Sequence, residues 1–134
     1  MTSIFSKIIA REIPGEILYE DSLTIAFLDI APKTEGHTLV VPKIEVPNFD
    51  QLPVESATAL ITTIHKVVKG VVSAMETPQY NLVLNNGPAA GQVVFHVHFH
   101  IIPRYVGDPR GRLGQYAPGR MAKVAQLIRD SLAQ

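Results

Sequence analysis

The sequence predicts an α+β chain: a five-stranded antiparallel sheet covered by one long helix, with a second amphipathic helix at the C-terminus. Three observations carry this expectation. Five short runs have strand character and are joined mostly by short, turn-rich connections. From Val54 to Met75 the apolar residues return every three or four positions, the period of one long amphipathic helix. Val94 to Ile102 alternates apolar residues with histidine, the period of a strand. With 134 residues, 46% of them hydrophobic, the chain suits a single domain with a real core.

The elements follow in order. Ile4, Phe5, Ile8 and Ile9 recur at helical spacing behind Ser3, a residue suited to an N-cap, and Pro14-Gly15 ends that short helix. Glu16 to Glu20 and Leu23 to Asp29 read as two strands of a hairpin turned at Asp21-Ser22. Pro32 and Gly36 bracket a polar loop, and His37 to Val41 forms a third strand that Pro42 stops. Pro53 opens the long helix and Thr77-Pro78 closes it. Tyr80 to Leu84 is a fourth strand. Asn85 to Gln92 is a loop containing Gly87 and Gly91, and it leads into the histidine strand. The Gly-, Pro- and Arg-rich stretch 104–119 reads as irregular, and Met121, Val124, Ala125, Ile128 and Leu132 mark the last helix.

Composition narrows the function. Twelve basic and twelve acidic residues cancel, which argues against a nucleic-acid partner bound over the whole surface. The absence of cysteine removes disulfides and thiolate metal sites. No run approaches the ~18 apolar residues of a membrane span, and no cleavable leader is visible, so a cytoplasmic protein without a membrane partner is expected.

Three imidazoles in consecutive slots of one strand face, His96, His98 and His100, exceed what solubility requires. One histidine would be a surface residue, as His65 on the long helix is expected to be; three in register ask for chemistry. A metal site is one reading, since neutral imidazole ligates zinc. At ~3.3 Å per residue, however, the outer two backbones lie roughly 13 Å apart, so only two rings could share an ion, with His37 or Asp29 as a third ligand. Phosphoryl chemistry with histidine as nucleophile is the other reading. Neutral imidazole attacks phosphorus without a metal, and neighbouring rings can hold the non-bridging oxygens. The preceding loop supports it, because its glycines let backbone amides approach an anion while Asn85 and Gln92 supply side-chain donors.

The run His96-Val97-His98-Phe99-His100-Ile101-Ile102 resembles the signature of the histidine triad (HIT) family. Further motifs agree with the Hint-type branch and its bacterial relatives: Ile4-Phe5-Ser6-Lys7-Ile8-Ile9, Ala26-Phe27-Leu28-Asp29-Ile30, Gly36 to Lys43, and Asn85 with Gly91-Gln92. The resemblance covers roughly residues 3–105, leaving a C-terminal loop and helix at about 106–134. It implies an α+β fold of five antiparallel strands with a long helix, a homodimer, a purine nucleotide substrate and no cofactor or metal. It also implies a covalent nucleotidyl-histidine on His98, later hydrolysed. The backbone carbonyl of His96 would orient His98, and His100 and His37 would contact the phosphate. Asp29 would bind the ribose hydroxyls, and Phe5, Ile8, Phe27 and Ile30 would surround the base.

Two departures matter. Many Hint-type proteins carry a small hydroxyl residue after the glutamine; here Val93 leaves only its backbone amide. The tryptophan-bearing tail of that branch is absent, and Arg104, Arg110 and Arg112 stand in a loop instead, either helping to hold polyphosphate or simply solvated. The expected activity is hydrolysis of purine nucleoside 5′-phosphoramidates or similar adducts. Alternatives are dinucleoside polyphosphate hydrolysis and a non-catalytic nucleotide-binding regulatory module.

Overall fold

Short apolar runs bounded by turn residues become the strands of one antiparallel sheet. The structure is a computed structural model describing residues 2–108 and 114–134. Strands β1 (Ile17–Glu20), β2 (Thr24–Leu28), β3 (Thr38–Pro42), β4 (Tyr80–Leu84) and β5 (Phe99–Pro103) lie in the order β1-β2-β3-β5-β4. The β1–β2 turn is set by Asp21, whose carboxylate accepts the N–H groups of Leu23 and Thr24 at 2.9 and 2.8 Å.

The long apolar stripe forms α2 (Val54–Ala74), which packs on one face of the sheet together with α3 (Arg120–Leu132). Leu60, Ile64, Val67 and Val71 of α2 meet Ala26, Leu28, Val40 and Ile101 of the sheet and Val124 and Ile128 of α3. Each such large aliphatic side chain contributes about 1.5–3 kcal/mol by leaving water. The opposite face is covered differently. Helix α1 (Ile4–Ile9) lays Phe5 and Ile8 on Ile25, Phe27, Leu39 and Val41. It is only six residues long, too short to cover that face, and the uncovered part is a pocket.

The histidine stretch is not one continuous strand from residue 94. Pairing between β3 and β5 ends at Val40 with Phe99. Beyond it stands Pro42, which has no N–H for a ladder bond, and whose carbonyl accepts from the His96 ring at 2.8 Å. The Val97 N–H turns instead to the carbonyl of Val46 at 2.8 Å. Consequently Phe95, expected on the core side, is half exposed, while His96 stays on the α1 side, its ring 5.8 Å from that of Phe5, which His98 also meets at 4.9 Å. His65 is on the surface. Arg110 and Arg112 lie outside the described residues.

Candidate active site

The pocket has a volume of about 460 Å³. Phe5, Ile8 and Phe27 form its apolar wall while belonging to the core of that face. Asp29 and Ile30, just past the end of β2, line it from the next loop, and Ile30 is 71% exposed. The His98 and His100 rings enter it with centroids 4.9 Å apart.

His98 is oriented by a backbone carbonyl. Its Nδ1 lies 2.7 Å from the oxygen of His96. A carbonyl only accepts, so Nδ1 carries the proton and Nε2 keeps its lone pair. Burial pushes the His98 pKa below the ordinary imidazole value, against the opposing pull of that hydrogen bond and of the Asp29 charge. The ring is therefore neutral near pH 7, with a bare nitrogen.

His96 itself is fully buried and locked at both nitrogens. Its Nε2–H donates to the Pro42 carbonyl, and its Nδ1 accepts from the Ser3 hydroxyl at 2.7 Å. Ser3 is also the N-cap of α1, accepting from the Ser6 N–H at 3.0 Å. Glu45 accepts from the Ser3 N–H at 2.9 Å and from the Ser6 hydroxyl. The hydrogen bond from Ser6 chiefly holds the Glu45 carboxyl below its usual range. One hydroxyl thus joins the wall-forming helix to the residue that aims His98.

A second chain starts at an amide. The Lys33 N–H donates to His37 Nδ1 at 3.0 Å. An amide only donates, so His37 carries its proton on Nε2, which faces His100 Nδ1 at 2.9 Å. His100 then carries its own proton on Nε2. Burial, with the neighbouring His98 and Lys33 charges, pushes the His100 pKa down to about 4. His100 is thus a neutral donor near pH 7.

Comparison with known proteins fits this geometry. A family model for the HIT domain matches residues 10–107. The chain belongs to the histidine triad family. An uncharacterised HIT-like protein of Methanocaldococcus jannaschii is 51% identical over 127 residues, covering 95% of this chain and 96% of that protein. An adenosine 5′-monophosphoramidase of Schizosaccharomyces pombe is 44% identical over 104 residues, covering 78% and 75%. The crystal structure of a hypothetical histidine triad nucleotide-binding protein of Sulfolobus tokodaii superposes with a TM-score of 0.91 at 33% identity, covering 97% of this chain and 91% of that one. The five-stranded antiparallel sheet with its helices is the HIT fold.

Within this HIT fold the loop before the triad is held by its own side chains. Gly91 closes a single 3-10 turn, Pro88–Ala90, at φ 98°, a conformation that favours glycine, and a Cβ there would stand 3.8 Å from the Asn85 side-chain nitrogen. Asn85 and Val93 line the pocket, Val93 being 83% exposed. Gln92 departs from expectation as a side-chain donor to phosphate. Its Nε2 donates to the carbonyls of Pro47 and Val94, at 2.7 and 3.1 Å, and its Oε1 accepts from the Gly87 N–H. The side chain fixes the loop, because a buried amide must satisfy itself locally. Arg104 is likewise turned away from the pocket, buried and paired with Asp108.

Asp29 combines two duties. Its Oδ1 accepts the Ala31 N–H at 2.9 Å, the turn role that such a residue commonly takes, while Oδ2 lies 3.6 Å from His37 Nε2. Asp29, His37 and His100 present ligand atoms within 4.8 Å of one another, a grouping with one triad ring where the metal reading required two. The hydrogen bonds oppose a metal there. Ligation at His37 Nε2 would drive its proton onto Nδ1, directly against the Lys33 N–H. Ligand atoms on tetrahedral zinc also sit only about 3.4 Å apart at bond lengths of ~2.0–2.1 Å.

Sequence reasoning passed over Ser3 as more than a cap, together with Ser6, Glu45, and Lys33, which also lines the pocket. Nothing in the spacing announces the contacts of Ser3 with Glu45 and His96, which join residues 42 and 93 positions apart.

Proposed function

We propose that this HIT protein is a nucleotide hydrolase and nucleotidyl transferase cleaving purine nucleoside 5′-phosphoramidates or similar adducts, with His98 as nucleophile. The observation that carries the reading is the bare Nε2 of His98, turned into the pocket while Nδ1–H is locked on the His96 carbonyl. The Nε2 lone pair attacks the α-phosphorus and an N–P bond forms. The bond to the leaving nitrogen breaks, its electron pair goes to that nitrogen, and a solvent proton completes the amine. The charge gained by the ring is taken up through Nδ1–H and the carbonyl. Water then attacks phosphorus, the N–P electrons return to Nε2, and the water proton leaves to solvent. His100 Nε2–H, backed by His37, donates to a non-bridging oxygen. Asp29 accepts from the ribose hydroxyls, Phe5, Ile8, Phe27 and Ile30 hold the base, and Asn85 with the Val93 N–H meets the phosphate. No cofactor or metal is needed.

The chain is proposed to act as one domain, in the cytoplasm, as a homodimer. The edge strand β4, exposing Tyr80 and Leu82, is a surface such pairing would cover.

The test is incubation with adenosine 5′-phosphoramidate without metal, acid trapping and intact mass. An added AMP that vanishes in His98→Ala supports the reading, and turnover retained by His98→Ala sinks it. AMP binding with neither adduct nor turnover would indicate a regulatory binding module. One observation favours dinucleoside polyphosphates as a second substrate class: Lys33 lines the pocket and its charge reaches His100, which suits an anionic leaving group. Comparing turnover of the two substrates decides between them.

A further inference from the structure

The described chain beyond the HIT-domain match returns to the active site from behind. The Gly114 N–H donates to the Pro32 carbonyl at 3.1 Å. The Tyr116 hydroxyl oxygen accepts from the Gly36 N–H at 2.9 Å. Arg120 grips Glu35 with two parallel bonds, Nε to Oε2 at 2.9 Å and Nη2 to Oε1 at 3.0 Å. All three contacts fall on the segment between Asp29 and His37, which also holds Lys33.

That segment has other anchors, among them the Thr38 hydroxyl, which donates to the Gly36 carbonyl at 2.8 Å and leaves the Gly36 amide to Tyr116. The Asp29 N–H bonds the His37 carbonyl at 3.0 Å and closes its base. Thr34 Oγ1–H bonds the Pro103 carbonyl at 2.8 Å. Gly36 has no side chain to fix it and cannot gain one: at φ 90° a Cβ would stand 2.7 Å from Met75 Cγ and 3.2 Å from Pro103 Cγ. Its amide is held from outside, by the Tyr116 phenol. Burial chiefly pushes that phenol up to about 12, so it stays un-ionised through the working range.

We propose that Tyr116, assisted by Arg120, is a positioning residue for the phosphate-binding relay. By holding Gly36 and Glu35 it keeps the Asp29–His37 segment in the shape that aims the Lys33 N–H at His37 Nδ1. That aim fixes the His37 tautomer, and through it the proton on His100 Nε2. The C-terminal segment thereby acts on a proton it never touches. The catalytic meaning of this rests on the function proposed above; the tautomer control does not.

The experiment uses the full chain and two readouts: ring-nitrogen NMR of the histidines, which reports tautomers, and steady-state kinetics on adenosine 5′-phosphoramidate. Tyr116→Phe removes only the accepting oxygen. It is expected to populate a second tautomer at His37 and His100 and to lower kcat about tenfold with KM within about twofold, because the donor matters most as charge develops. The His98 tautomer, set by the His96 carbonyl, should not move. Arg120→Gln removes the fork on Glu35 and is expected to show the same pattern more weakly, keeping the test alive should Tyr116→Phe not fold. Unmoved tautomers and unchanged kcat in the variant overturn the proposal, even where the melting temperature falls. A wild type inactive on the phosphoramidate whose tautomers still shift on substitution removes the functional reading and leaves the positioning role standing.

Discussion

The hydrogen-bonded chain that ends on His98 begins at a carbonyl, whereas the chain that ends on His100 begins at an amide. Both use neutral imidazoles, His98 buried and His100 half-buried, and both rings reach one pocket 4.9 Å apart. The first presents a lone pair on Nε2, and the second presents a proton there. The difference lies in which backbone group meets Nδ1, directly for His98 at 2.7 Å and through His37 for His100. A wrong tautomer on either ring would leave a buried polar pair unsatisfied at a cost of about 1–3 kcal/mol. That corresponds to a preference of about 5- to 150-fold for one form. Two copies of one residue type thus present a lone pair and a proton to the same pocket, according to which group meets Nδ1.

The sharpest way to break this comparison is the same substitution at both rings. Glutamine carries an N–H donor at its end but no nucleophilic lone pair. His98→Gln is expected to lower turnover by about 10⁴-fold or more, the scale of removing a nucleophile. His100→Gln should cost only about tenfold, some 1.4 kcal/mol of barrier, since a donor remains. Steady-state rates with intact mass of the trapped protein check both. Equal losses would show that the two rings do not divide the work as their tautomers indicate.

Much of this was legible in the sequence, and the reasons for the rest are local. The sheet and α2 followed from periodicities of two and 3.6, which burial on one or both faces enforces. The alternation of histidine with Val97, Phe99 and Ile101 correctly marked the core side of β5. It could not show that the strand begins only at Phe99, because that depends on Pro42, a residue far away in the chain that both ends the ladder and takes the His96 proton. Phe5, Ile8 and Phe27 could not be told from core because they are core as well as wall. Asp29 satisfies a backbone group and also lines the pocket, whereas His37 meets the Lys33 amide and stands behind His100, out of the pocket wall, so position in the sequence alone could not separate their duties. Gln92 was misjudged because a side-chain amide turns toward whichever carbonyls the loop brings near it. The contacts of Ser3, Glu45 and Tyr116 join sequence-distant residues and have no periodic signature.

A smaller effect tests the neutral state that both chains require. An ordinary imidazole is half protonated near pH ~6.5 and only about 10% neutral at pH 5.5. Since burial lowers the His98 pKa, the acid limb of kcat/KM should lie below ~6.5, with more than that tenth of activity kept at pH 5.5. A limb at or above ~6.5 would contradict the buried neutral nucleophile. Stability runs the same way. His100 titrates near 4 when folded and near ~6.5 when unfolded, so between those values the unfolded chain binds more protons. Stability contributed by this group is full above ~6.5 and is lost as pH falls toward 4, which thermal melts across that window should show.

The smallest effect separates the two duties of Ser3. Its hydroxyl oxygen caps α1 and its proton goes to His96 Nδ1. Ser3→Ala loses both, and should lower stability by about 1–3 kcal/mol, combining a lost cap with a poorly satisfied buried nitrogen. Ser3→Gly loses the bond to His96 but costs only a few tenths of a kcal/mol as a cap. Turnover should fall less than about fivefold in either, because Pro42 still holds the other side of the His96 ring and Ser6 Oγ stands 3.4 Å from Nδ1 as a weak substitute. The distinction appears in KM. Helix α1 carries Phe5 and Ile8 of the pocket wall, so fraying at its start weakens binding of the base in Ser3→Ala more than in Ser3→Gly. If KM rises equally in both while kcat falls, the bond to His96 rather than the cap joins the helix to the triad. If neither parameter moves, the first chain is already complete at the carbonyl of His96, and the hydroxyl behind it serves only the helix.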